Sequence, residues 1–275
     1  MRIHYLTSDA QIQQDDPHVM AIGFFDGVHL GHQELFKEAR KWAERKGVTC
    51  SALTFSPHPN EVIFKEKDRK YITPLRHKLD KIATCGIDTT YVMKFDTSFA
   101  SLSPDEFVQR YIVQMNVKHV VVGFDFTFGH KAKGDITVLK EQAEKYQFGL
   151  SVIPKKTYDQ LKISSTITRE LVRTGKVDEI LPFLGEYYKI ESLVAEQNSL
   201  NRYTIVVEEP FILPESGMYE VDVFAHNETY KAELSVRSSN EHELMFERKA
   251  KNVAINSTVT IRFLQRTKVK HALFA

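Results

Sequence analysis

Two histidines stand three residues apart in the stretch Gly23-Phe24-Phe25-Asp26-Gly27-Val28-His29-Leu30-Gly31-His32-Gln33, with a glycine between them. Glycines at 23, 27 and 31 permit tight turns and let main-chain N–H groups come close to a ligand. The stretch follows a short apolar run and opens an amphipathic one, so it reads as strand, turn and helix start. The N-terminus of a helix is an anion site, and two imidazoles beside it can point at the same phosphates. Such a site suits in-line attack on a phosphate, where positioned donors stabilise spreading negative charge and little covalent chemistry is asked of the protein. The plainer reading is a pair of locally satisfied cap or surface histidines. A zinc site lacks a third ligand placed by spacing.

Three further stretches carry chemistry-bearing residues. Thr54-Phe55-Ser56-Pro57-His58-Pro59 ends an apolar run; its prolines fix an extended loop that can wall a flat ring, with Phe64 near by. A structural loop with a surface His58 is the alternative. In Val121-Val122-Gly123-Phe124-Asp125-Phe126-Thr127-Phe128-Gly129-His130-Lys131-Ala132-Lys133-Gly134-Asp135, Asp125 can hydrogen-bond a sugar hydroxyl and Phe128 offers a stacking face. The phenylalanines read equally as core, and Lys131 and Lys133 as solvated lysines. Ile163-Ser164-Ser165-Thr166-Ile167-Thr168-Arg169-Glu170 opens a helix, where hydroxyls, N–H groups and an arginine one turn in make a second polyphosphate clamp. Taken alone it is a capped helix.

The elements that must hold these residues follow from hydrophobic periodicity. Short β-branched or aromatic runs at 19–23, 48–55, 89–93, 119–123 and 149–153 alternate with helix-like segments at 31–46, 76–85, 104–115 and 135–146. The third helix opens on Ser103-Pro104-Asp105-Glu106, a capping box with proline at the first helical position. Repeated strand-then-helix units predict the α/β class, an open doubly wound parallel sheet with its ligand at the carboxyl ends of the strands. A helical pair is expected at 165–174 and 176–184. Beyond about 186 the pattern changes to period-two alternation at 203–207, 218–224, 229–236 and 258–264, which predicts a small antiparallel β-barrel. The expected division is 1–186 and 187–275.

Bulk composition narrows the function classes. A net charge of +1 gives no basic excess with which to bind nucleic acid. No apolar run reaches the roughly 20 residues that span a bilayer, and the first nine residues are too polar for a signal peptide. Cys50 and Cys85 carry no CxxC spacing and read as small buried hydrophobes in a reducing cytoplasm. Small molecules are the expected partners, and nothing in the composition points to an oligomeric state.

The order and content of these stretches resemble the bacterial FAD synthetase family, the bifunctional riboflavin kinase/FMN adenylyltransferases. FDGVHLGHQ is similar to that family's form of the nucleotidylyltransferase HxGH motif. The other three resemble its TFxPHP, VVGxDFxFGxxxxGD and ISSTxIR segments, and the likeness runs over about 18–188, including Phe95-Asp96-x-x-Phe99-Ala100-x-Leu102-x-Pro104-x-x-Phe107-Val108. The resemblance implies a Rossmann-like nucleotidylyltransferase domain that joins the AMP of ATP to FMN, giving FAD and pyrophosphate, with a Mg2+ ion on the triphosphate. It implies that His29 and His32 contact ATP phosphates and that Arg169 binds the leaving phosphates or stabilises the transition state. Gly23, Phe24, Phe25, Asp26, Gly31, Ser165 and Thr166 would surround the ATP, and Pro57, His58, Pro59, Phe64, Asp125 and Phe128 the flavin. Two positions depart from the family: Phe24 stands where many members have asparagine, and Thr168 replaces an aliphatic residue. The kinase barrel's Pro-Thr-Ala-Asn segment is absent; the corresponding stretch reads Gln197-Asn198-Ser199-Leu200-Asn201-Arg202-Tyr203-Thr204-Ile205-Val206, and the closing helices expected after Leu264 are missing. The expectation is therefore a shortened barrel without kinase activity. Other readings are a working bifunctional kinase, an HxGH enzyme for phosphopantetheine or nicotinate mononucleotide, and a flavin-binding regulatory protein with a vestigial catalytic domain.

Overall fold

The computed structural model describes residues 1–9 and 16–267. The chain forms two compact units, one of Met1–Arg69 with Leu75–Ile163, the other of Lys70–Pro74 with Ser164 onward. The expectation about helices after Leu264 falls in part on 268–275, outside the described residues.

The first unit is a six-stranded parallel sheet: β1 (Arg2–Leu6), β2 (His18–Ile22), β3 (Thr49–Ser56), β4 (Thr89–Lys94), β5 (Val117–Gly123) and β6 (Gly149–Ile153), in the order β1-β4-β3-β2-β5-β6. From β2 the chain steps outward to β3 and β4, then returns to lay β5 on the other side of β2. That reversal creates the crevice expected of a doubly wound sheet. Successive β2 residues feed opposite faces. Val19 and Ala21 pack with Leu35, Phe36 and Ala39 of α1 (Leu30–Lys46). Met20 and Ile22 pack with Tyr111 and with Leu139 of α6 (Ile136–Tyr146). A strand buried on both faces must be apolar throughout, which is why its run was continuous rather than alternating.

Three features depart from the sequence expectations. Strand β1 was not anticipated, because it lies at the sheet edge, pairs only with β4 and is largely exposed. The helix expected over 104–115 is α5 (Pro104–Val108) followed by a π-turn at Gln109–Val113. The wider turn keeps Phe107, Val108, Tyr111, Ile112 and Met115 on one face, all in the core. The segment 176–184 divides into a 3-10 turn, Val177–Glu179, and α8 (Leu181–Leu184), because Pro182 has no N–H to continue a longer helix. Between these lie α2 (Pro59–Ile63), α3 (Leu75–Thr84), α4 (Thr97–Ala100), the hairpin β7 (Thr157–Tyr158) and β8 (Leu161–Lys162), and α7 (Ser165–Arg173).

The second unit is the predicted antiparallel barrel, closed by six strands in the order β10-β13-β12-β11-β14-β9. They are β9 (Lys189–Ser199), β10 (Arg202–Val206), β11 (Gly217–Ala225), β12 (Glu228–Val236), β13 (Glu241–Phe246) and β14 (Thr258–Arg266). Alternate residues such as Tyr219, Val221, Ile261 and Phe263 are buried. The stretch aligned with the missing Pro-Thr-Ala-Asn segment is the end of β9, a turn and β10, tied across by Asn198 Nδ2 donating to Thr204 Oγ1 at 3.0 Å. Asp222 pairs in register with Lys231 on one neighbour and Arg262 on the other, and its carboxylate meets both side chains. The short segment Lys70–Pro74 joins this unit: Tyr71 N–H donates to the Pro210 carbonyl at 2.7 Å, and the Tyr71 carbonyl accepts from Ile212 N–H at 2.8 Å.

One buried titratable group in the first unit makes its stability pH-dependent. His119 of β5 is 3% exposed, stacked 4.1 Å from the Trp42 ring, with Nε2 2.8 Å from Ser151 Oγ. Burial pushes its pKa down to about 4, with Lys46 acting in the same direction. The folded state therefore holds a neutral ring that the unfolded chain protonates first. The stabilisation is complete above pH 6.5 and is lost as pH falls towards 4. The thermal midpoint should fall over that window, and less steeply in His119→Gln; identical slopes for the two proteins would refute this assignment.

Candidate functional site

Leaving β2, the chain must change from an extended strand to the first turn of α1 within seven residues. It does so through a turn with positive φ at Phe25 (59°), Gly27 (83°) and Val28 (47°). A left-handed backbone at two non-glycine residues is uncommon and persists only where its surroundings hold it. Here Phe25 is fully buried against Phe36, and the Phe24 carbonyl accepts from Thr54 Oγ1 at 2.9 Å and from Lys78 Nζ at 3.0 Å. A Cβ at Gly23 would lie 2.7 Å from the Phe25 ring, so only glycine fits there.

The turn delivers His29 as the cap of α1. Its Nδ1 accepts the His32 backbone N–H at 3.3 Å, which leaves the proton of the neutral ring on Nε2. The His29 and His32 rings stack at 3.5 Å, 17° from parallel. A Cβ at Gly31 would lie 3.0 Å from the His29 ring, so a larger residue there would press on the ring. Burial lowers the His29 pKa to about 4, with the Lys162 charge adding to the effect and Asp125 opposing it. Burial also holds His32 well below the ordinary imidazole range, with His29 and Lys78 contributing. Nδ1 of His32 is buried without a hydrogen-bond partner among the described residues. Two neutral imidazoles at a helix start, one with an unsatisfied nitrogen, form a desolvated donor site that an anion can enter without displacing a resident counter-charge.

The neighbouring strand ends complete this part of the site. After β5, Asp125 forms a 2.5 Å ion pair with Lys162 of the β7–β8 hairpin, and Lys162 also lies over the Phe124 ring at 4.6 Å. Phe128, expected to offer a stacking face, is 6% exposed and packed against Phe107 and Phe126. Its position in that run is a packing role: Phe128 exchanges both backbone hydrogen bonds with Gly134, whose missing side chain admits the ring, and Asp135 caps α6. Lys131 lies in a short 3-10 turn between these two residues and is exposed, as is Lys133. After β3, His58 caps α2 in a capping box with Glu61, between Pro57 and Pro59, and packs edge-on against Phe24 at 4.3 Å. Phe64, at the end of α2, is 73% exposed.

Gly23, Phe24, Phe25, Asp26, His29, Gly31 and His32 thus converge in one turn, with Asp125 linked electrostatically to His29. Ser165, Thr166 and Arg169 belong to the second unit. There Ser164 caps α7 by accepting from Ile167 N–H, and Arg169 Nη1 donates to the Lys70 carbonyl at 2.6 Å. Thr168, the departure from the aliphatic pattern, is fully buried and satisfies its hydroxyl on the Ser164 carbonyl at 3.0 Å.

Sequence reasoning missed Lys78. It is 2% exposed, with Nζ 3.0 Å from the Phe24 carbonyl and 3.3 Å from that of Phe55. The signal was present: within α3, Lys78 falls on the face of Leu79 and Ile82, a lysine where the period calls for an apolar residue. Lys162 was missed because two short exposed strands give no periodic pattern.

Comparison with known proteins agrees with the motifs. The family model for FAD synthetase matches residues 11–167. A bifunctional riboflavin kinase/FMN adenylyltransferase of Listeria monocytogenes is 38% identical over 85% of this chain and 76% of its own length. A protein of the same organism described as FAD synthetase is 31% identical over 81% of this chain and 88% of its own. Among solved structures, one described as a macrolide-efflux protein from Streptococcus pneumoniae superposes with a TM-score of 0.88 at 27% identity, covering 98% of this chain and 91% of that one. Among the described residues here, no helix is long and apolar enough to cross a membrane. With more than half of its length matched by the family model, and its histidine motif held at the carboxyl end of β2, the chain belongs to the FAD synthetase family.

Proposed function

We propose that the chain is an FMN adenylyltransferase, which joins the AMP of MgATP to FMN and releases pyrophosphate. The observation that carries this is the stacked, neutral His29–His32 pair at the start of α1, at the carboxyl end of β2 and the sheet's crossover point. The names of the relatives supply the substrate. In the proposed reaction a phosphate oxygen of FMN attacks the α-phosphorus of ATP, a new P–O–P linkage forms, and the bond to the β-phosphate oxygen breaks. The FMN phosphate is already a nucleophile at neutral pH, so no general base is required. Alignment and charge stabilisation do the catalysis.

Roles follow for each group. Nε2–H of His29 and the ring of His32 donate to ATP phosphate oxygens, together with N–H groups of the Gly23–Gly31 turn. Burial makes such donors stronger than they would be in water. Ser165, Thr166 and Arg169 take the leaving pyrophosphate. Pro57, His58, Pro59 and Phe64 wall the flavin, and Asp125 accepts from a sugar hydroxyl once Lys162 yields it. Phe128 supports this wall from the core and does not stack on the ring. Mg2+ enters as part of the ATP substrate. We assign adenylyl transfer to 1–186 and a barrel without kinase activity to 187–275. The kinase reading draws on the barrel's closure and on the bifunctional relative.

Incubating the protein with MgATP and either FMN or riboflavin, then separating the flavins, tests both halves. FAD from FMN and nothing from riboflavin is the expected result; FMN from riboflavin would restore the kinase, and no product from either flavin would sink the adenylyltransferase. His29→Ala and His32→Ala should each lower kcat/KM for ATP by about 100-fold, and His29→Ala should also lower the thermal midpoint because it removes the α1 cap. In ring-proton NMR of the free protein, His29 should remain neutral until pH approaches about 4. Titration in the ordinary range would remove the basis for a desolvated donor.

A further inference from the structure

A buried lysine beneath the histidine turn takes no part in the roles assigned above. Lys78 reaches from α3 to the carboxyl ends of β2 and β3, where its Nζ contacts two neutral carbonyls, Phe24 and Phe55, and lies 4.1 Å from the centroid of the Phe24 ring. Burying an ammonium is costly even with the Asp26 charge opposing the loss, and an uncharged residue would pack on this face of the helix more cheaply. The titratable groups facing it are Asp26 in the turn and the neutral His32 on α1, while His58 packs against the Phe24 ring. The Phe24 carbonyl it holds lies immediately before the left-handed residue at 25, so the lysine clamps the strained turn at its first peptide.

We propose that Lys78 is a positioning residue for adenylyl transfer. Its ammonium ties the end of β2 to the end of β3, sets the turn that presents His29 and His32, and adds positive charge behind them at the place the ATP phosphates enter. This rests on the adenylyltransferase reading. It assigns Lys78 no contact with substrate and no proton transfer. The clamp acts through the Phe24 carbonyl, a backbone atom, and the Phe24 ring packs against the same ammonium.

The test uses the full chain with Lys78→Met, which keeps the apolar stem, and Lys78→Gln, which keeps a donor without charge. In Lys78→Met, kcat/KM for ATP should fall by about tenfold or more, KM for FMN should stay within twofold, and the His29 and His32 ring signals should shift without nucleotide present. Lys78→Gln should recover the ring signals in part while the ATP defect persists. The lysine pKa is drawn down to about 8 by burial, with Asp26 opposing. Wild-type activity should therefore decline above about pH 8, and that alkaline limb should vanish in both variants. Unmoved ring signals with unchanged ATP kinetics in Lys78→Met would overturn the proposal while leaving the function intact. If the wild type makes no FAD, the function fails and the ring signals alone judge the clamp. If Lys78→Met does not fold, Lys78→Gln and the wild-type alkaline limb decide, and a flat wild-type profile counts against it.

Discussion

One carbonyl, that of Phe24, governs the geometry of the first unit's working end. It accepts from the Thr54 hydroxyl and from the Lys78 ammonium, so the last peptide before the turn is fixed by β3 on one side and α3 on the other. With that peptide held, the left-handed residues that follow are over-determined rather than free, and α1 begins at a defined place and angle. The histidine pair inherits its precision from this arrangement. An imidazole cap on a loosely held helix start would sample many positions; one held beneath by a buried cation has little room to do so.

The electrostatics of the turn point one way. The two rings are kept neutral by burial and by neighbouring positive charge, while the helix start and the lysines supply a field favourable to anions. Neutral donors in such a field can receive an anion without first releasing a counter-ion. The cost is borne by packing: the fully buried Phe25 and Phe36 and the apolar β2 provide the cohesion that keeps unsatisfied polar atoms and strained residues in place.

Much of this was legible in the sequence, for a reason that differs by element. Strands β2 to β5 were readable because burial on both faces leaves a largely apolar run, and β6, though an edge strand, is half-buried and keeps enough of that pattern; β1 was not, since it is an exposed edge strand. The turn between β2 and α1 was readable from its glycines, two of which are explained by rings that fill the missing side-chain space. The run from Phe124 to Asp135 was readable as a motif but ambiguous in role. A glycine that admits a phenylalanine ring and an aspartate that caps a helix leave the same imprint as ligand contacts. Lys78 was overlooked because a charged residue in an amphipathic pattern reads as noise until its ends are seen. The membership of Lys70–Pro74 in the barrel unit had no local signal, because it depends on pairing with residues about 140 positions away.

That last feature bears on how the chain can be inherited and rebuilt. Sequence order and structural allegiance disagree at Lys70–Pro74: five residues encoded within the first unit's stretch take backbone partners from the segment around Pro210 to Ile212. The two units are therefore stitched together by three crossings of the chain rather than one. A gene fragment ending at residue 163 would retain this stitch without the strand that completes it. Deletion of the barrel would leave the Tyr71 N–H and carbonyl without the Pro210 and Ile212 partners they have in the full chain.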